Sequence, residues 1–173
     1  MSAIIGYSLD KNIAENIKSI RVGISQTFTD LGLKVSWKDQ KSYNITVAYL
    51  GESLNLIQRA YINHKLKDFQ FESFPITFST IKIGKSGRNR SSIFLEILDG
   101  GEDIRKLCLE LRQTLHLKED INLVPQVTLG RITSDLSDSM YTDLQKSLYV
   151  MSKKLPVKKI KFVLDDVSII EEK

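Results

Sequence analysis

The chain has 173 residues, which suits one domain or two small fused lobes. Hydrophobic residues make up 42% and charged residues 27%, which argues against a disordered tail, and no apolar run approaches the length of a membrane span. A net charge of +4, from 25 basic and 21 acidic residues, suits anionic small molecules or short nucleic acids and falls short of the footprint of a duplex-DNA binder.

Residues 3–9 (AIIGYSL) predict an opening strand and not a signal peptide, because no basic n-region precedes them. Residues 11–31 place Ile13, Ile17, Ile20, Ile24, Phe28 and Leu31 at helical spacing, with Gly32 as a C-terminal cap. Residues 34–38 alternate as a strand, and 44–50 (NITVAYL) form a second. Ser53 is the expected cap of a helix through LNLIQRAYINHKLK. Phe74-Pro75 opens a strand, GKSGRNRSS is a polar turn, and SSIFLEIL is a strand. After Asp99-Gly100-Gly101, residues 102–115 form a helix, 126–132 a strand and 138–152 a helix that Pro156 stops. KKIKFVL and DVSIIEE close the chain as strands. The order is that of an α+β protein, read as a single unit over residues 1–173.

Cys108 is the one cysteine, on the apolar face of the 102–115 helix, and a buried structural thiol is expected. It can form no internal disulfide, so a cytoplasmic, reducing compartment is expected, and the sequon at Asn44 then carries no glycan. His64 and His116 are the only histidines. His64 reads as a surface residue and His116 as a helix-end residue suited to the dipole, and neither sits in a motif.

Two segments echo each other. Asn44-Ile45-Thr46-Val47-Ala48-Tyr49-Leu50-Gly51 and Gln126-Val127-Thr128-Leu129-Gly130-Arg131 both begin polar-x-Thr at the start of a strand, 82 residues apart. A period-2 strand sends residues i and i+2 to one face, which pairs Asn44 with Thr46 and Gln126 with Thr128. The run from Trp37 through Tyr43 to Glu52, together with Pro125–Arg131, resembles the two motifs of the 2H phosphoesterase superfamily, the LigT-like group of 2′-5′ RNA ligases and cyclic phosphodiesterases. The resemblance covers essentially the whole chain. It implies a two-lobed, pseudo-symmetric fold with antiparallel sheets flanked by helices around a central cleft. It also implies a metal-independent, cofactor-free site for a phosphodiester.

In that family each motif begins with histidine, one taking a proton from the attacking group and the other giving one to the leaving oxygen. Here those positions hold Asn44 and Gln126. Neither amide titrates near neutral pH, though both still form hydrogen bonds. A positioned general acid or base contributes roughly 10²–10⁴-fold in rate. The resemblance therefore implies a cleft that keeps its phosphate-holding groups, Thr46, Thr128 and Arg131, without the proton shuttle. No catalytic residue is assigned.

The expected ligand is a nucleotide, cyclic nucleotide or short oligonucleotide, bound by Asn44, Thr46, Gln126, Thr128, Arg131, Trp37 and Tyr43 in a sponge or sensor. Trp37 and Tyr43 could each stack a base or belong to the core. Arg131 could pair with phosphate or be a surface charge. GKSGRNR is a solvated turn or a flap over an anion; it lacks Walker spacing. Two alternatives stay open. One is an RNA 2′,3′-cyclic or 2′-5′ phosphodiesterase whose two histidines have been exchanged. The other is a protein-interaction module on the same scaffold.

Overall fold

In the computed structural model, residues 2–84, 91–117 and 124–172 are described. They alternate strands and helices: β1 (Ser2–Ser8), α1 (Lys11–Asp30), β2 (Val35–Trp37), β3 (Asn44–Gly51), α2 (Leu56–Asp68), β4 (Phe74–Ile83), β5 (Ser92–Ile97), α3 (Gly101–Leu115), β6 (Gln126–Ile132), α4 (Asp138–Lys154), β7 (Lys161–Leu164) and β8 (Ser168–Glu172). The strands form two sheets, one of three strands in the order β3-β1-β8 and one of five in the order β2-β6-β5-β4-β7. All the pairings are antiparallel. No helix among the described residues is long and apolar enough to cross a membrane.

The helices form where cap chemistry and apolar spacing agree. Asp10 caps α1 by accepting from Ile13 N at 2.9 Å, and Ile13, Ile17, Ile20, Ile24 and Phe28 fill its buried stripe. At its end Leu33 N donates to Phe28 O and Gly32 N to Thr29 O, with Gly32 at φ 67°, a left-handed stop that glycine adopts without strain. The cap of α2 lies two residues beyond the expected Ser53. Asn55 accepts from Gln58 N at 2.8 Å while Gln58 Oε1 accepts from Asn55 N at 3.0 Å, and this reciprocal pair fixes the helix start. α4 is capped by Ser137 and extends two residues past the expected end, to Lys154.

The closing strand also starts later than KKIKFVL suggests. Val157–Lys159 forms a 3₁₀ turn, closed by Lys159 N donating to Pro156 O, and it lowers the fully buried Val157 into the core. Lys158 and Lys159 stay exposed on that turn. The predicted 84–92 turn falls mostly on residues 85–90, outside the described residues.

One apolar core serves both sheets. Ile5, Ile45 and Val47 from the first sheet, and Phe78, Leu95, Val127 and Leu129 from the second, join the buried stripes of α1, α3 and α4. Cys108 lies in it at 4% exposure, as a small hydrophobe on α3. Among the described residues, strand β7 pairs only with Phe74–Thr77 of β4. Further along that strand α4 takes over, with Ser152 Oγ accepting from Ile81 N at 2.8 Å. A sheet position that lacks a strand neighbour is thereby satisfied by a helix.

Candidate functional site

β3 and β6 belong to different sheets, yet their Cα atoms come within 8 Å of each other. These are the two strands that open with polar-x-Thr. Ile45 and Val47 are fully buried in the core, so Asn44 and Thr46 share the opposite face of β3. Val127 and Leu129 do the same for β6, leaving Gln126 and Thr128 together on the other side.

Asn44 is 6% exposed and donates through Nδ2 to Ser42 O at 3.2 Å. Gln126 Nε2 reaches Thr128 Oγ1 only at 3.5 Å, the outer limit of a hydrogen bond. Gln126 Oε1 is buried and has no partner among the described residues.

Both strands then depart from strict alternation at the same place. In β3, Gly6 of β1 faces Thr46 and Ile5 faces Ala48, so Val47 is an extra residue. In β6, Phe94 of β5 faces Thr128 and Ile93 faces Gly130, so Leu129 is an extra residue. Each bulge sits one position after the threonine and flips the parity of the residues beyond it. Tyr49, opposite Ile4, and Arg131, opposite Ser92, therefore turn to the face of the polar-x-Thr pairs. Strict alternation would have sent both to the core side. Tyr49, 39% exposed, is a residue of that face that sequence reasoning missed.

Two more residues of that face escaped the sequence reading. Glu96 is the register partner of Gln126 and holds Lys82 Nζ at 2.5 Å, with Ser79 Oγ donating at 2.7 Å. Burial by itself would raise the Glu96 carboxyl. Hydrogen bonds from Lys82, Ser79 and Thr80, with the Lys82 charge, outweigh burial and hold it below the usual carboxylate range. A depressed carboxylate contributes stability above its unfolded value and loses it as pH falls through the folded value. Glu96→Gln should therefore flatten the acid limb of a plot of melting temperature against pH. The effect should be modest, since the pair is more than one third exposed. An unchanged acid limb would mean that the pair contributes nothing measurable.

The aromatic candidates separate. Tyr43 is 2% exposed and lies in the core cluster, on the Ile45 and Val47 side. Burial pushes its phenol up, and the nearby Arg21 guanidinium pulls against that rise. No group reaches Tyr43 Oη with full hydrogen-bond geometry among the described residues. Trp37 is half-buried, paired with Gly130, and meets Phe28 edge-on at 5.4 Å. Of the two readings open for each, base stacking and core, these positions give the core one for Tyr43 and a core-flanking one for Trp37. His64 is exposed on α2 and His116 is exposed at the end of α3, so neither lies on a motif strand.

The architecture is the two-lobed fold seen in LigT. LigT of E. coli in apo form superposes with a TM-score of 0.65 at 14% identity, covering 97% of this chain and 85% of LigT. TT0787 of Thermus thermophilus gives a TM-score of 0.59 at 14% identity, covering 99% and 85%. Usb1 of Kluyveromyces marxianus gives 0.58 at 12%, covering 98% and 95%. LigT has also been crystallised with 3′-AMP, ATP and phosphate, and the same Usb1 with uridine monophosphate. At these identities the likeness is one of fold. No family model matches the sequence, and no curated protein matches it either.

Proposed function

We propose that the protein binds a nucleotide, as a cyclic or short oligonucleotide phosphodiester, in the cleft between its sheets and holds it without cutting it. The observation that carries this reading is the doubled arrangement on β3 and β6. Each strand offers a carboxamide, a threonine and, past a bulge, a third large side chain, Tyr49 or Arg131. Threonine hydroxyls and amide N–H groups can donate to phosphate oxygens, and Arg131 can add a charge-assisted contact. Asn44 and Gln126 cannot take up or release the protons of phosphodiester cleavage near neutral pH. The nucleotides found with LigT and Usb1 support the class of ligand.

The test is capture. The protein is incubated with 2′,3′-cyclic nucleotides, 2′-5′ oligoadenylates and cyclic dinucleotides, freed of unbound material by filtration, and heat-denatured. Intact ligand in the released fraction, identified by mass spectrometry, is the expected result. A hydrolysed product would overturn the silent-binder reading, and an empty fraction across the panel would overturn binding.

A further inference from the structure

The doubled arrangement on β3 and β6 follows one plan with one difference. Past each bulge, the residue that turns to the face of the polar-x-Thr pair is Tyr49 on β3 and Arg131 on β6. The register extends this difference across each sheet. Ile4 of β1 has Tyr49 on one side and Ile170 of β8 on the other, which makes an apolar row, Tyr49–Ile4–Ile170. Arg131 has Ser36 of β2 on one side and Ser92 of β5 on the other, which makes a polar row. We infer that the two rows give the bound nucleotide a direction, its phosphate on β6 at Thr128 and Arg131 and its base on β3 against Tyr49 and Ile170; the inference rests on the nucleotide reading above.

Three observations support it. First, the apolar row stands apart from the core. Ile5 and its register partner Ile169 pack into the core cluster, whereas among the described residues Ile4, Ile170 and Tyr49 do not belong to it. The row therefore lies on the face that carries Asn44 and Thr46. Ile4 is its closed floor at 2% exposure, and Tyr49 at 39% leaves ring surface open to a flat partner. Second, the row runs on to the threonine. Gly6 of β1 faces Thr46 and presents no side chain there. A Cβ on Gly6 would lie 3.2 Å from Ile170 Cδ1, so that methyl reaches over the glycine towards Thr46. The same Cβ would lie 2.6 Å from Ile45 O, a backbone atom, so this spot is closed to a larger residue. Third, the two rows suit opposite ends of a nucleotide. An anionic phosphate over the apolar row would lose hydration and gain no partner, while Arg131 can meet it with a charge-assisted pair. A base stacks on an aromatic ring whatever its sequence identity, and it buries aliphatic carbon at the same time.

The test compares ligands with and without a base. Calorimetry measures binding to the full chain of 2′,3′-cyclic AMP and of 1-O-methylribose 2′,3′-cyclic phosphate, which keeps the sugar and the phosphate. The nucleotide should bind at least about tenfold more tightly, as stacking on one aromatic ring provides. Tyr49→Ala should remove most of that ratio, and Tyr49→Phe, which keeps the ring, should retain it. Ile170→Ser, a second variant of the row, should lower the ratio too. Arg131→Gln should weaken both ligands and leave the ratio between them standing. A ratio that Arg131→Gln abolishes and the row variants leave intact would mean the opposite direction and overturn the inference. Equal binding of the two ligands would overturn the base assignment and leave the nucleotide-cleft reading to the phosphate contacts. No binding of either ligand would overturn both.

Discussion

Exchanging Asn44 and Gln126 together for histidine should turn the protein into a phosphodiesterase, raising hydrolysis of 2′,3′-cyclic AMP by at least about 10²-fold over the unchanged chain. The two positions open strands that approach each other from separate sheets, each with its threonine two residues on. On the proposed function, the polar groups that hold the phosphate are already placed, and what positions 44 and 126 lack is a group that titrates near neutral pH. Either single exchange should give far less than the pair, since an acid and a base acting on one bond are not additive. The rate should be bell-shaped in pH, because one histidine must be neutral while the other is protonated. Position 44 is nearly closed to solvent, so burial there should push its imidazole down and favour the neutral, proton-accepting form. A double variant that still binds the nucleotide yet shows no turnover would mean that the ligand sits out of line with the two strand starts.

The second large effect is structural. Gly130→Val should cost about 3 kcal/mol, at the upper end of the usual cost of overpacking. A Cβ at Gly130 would lie 2.8 Å from Ser36 O, 2.9 Å from Trp37 Cε3 and 3.1 Å from Trp37 Cα. Two of those atoms are backbone of β2, which cannot turn aside as a side chain can. The strand must move, taking Trp37 off Phe28 and disturbing the Ser36–Arg131 pairing. Gly101→Ala is the control. Its added methyl would meet nothing nearer than Ile97 Cγ2 at 4.0 Å, and alanine suits a helix, so that variant should be neutral or slightly stabilised. Urea unfolding of the two variants measures the difference. If Gly130→Val were as stable as Gly101→Ala, the close approach of β2 to β6 would be wrong.

Much of the fold was legible because most elements obey a single period. The stripe from Ile13 to Phe28 and the stripe from Ile104 to Leu115 are both buried as helical spacing requires. The same rule placed Asn44 with Thr46 and Gln126 with Thr128. Followed one residue further, it also sets Tyr43 with Ile45 and Val47, on the core side where the structure has it. An aromatic beside a motif invites a ligand role, but here parity decides. The start of α2 was not legible because Ser53 and Asn55 are both good caps, and only the reciprocal bond to Gln58 chooses between them. The Lys82–Glu96 pair and the Ser152–Ile81 bond depend on strand register and on where α4 lies beside β4. Neither has a local signature in sequence.

The two bulges give the cleft something like a reading frame. Just past the threonine, β3 and β6 each carry one residue more than the strand beside them, and β3 carries a second further on, at Leu50. The frame is held by register rather than by residue type. Loss of Val47 or Leu129 would leave every neighbouring residue unchanged and the strands still rich in β-formers. Yet it would rotate Tyr49 or Arg131 towards the core and bring buried side chains out in their place. Point substitutions can tune such a site gradually, whereas a single-residue deletion at either strand rewrites the face that meets the ligand.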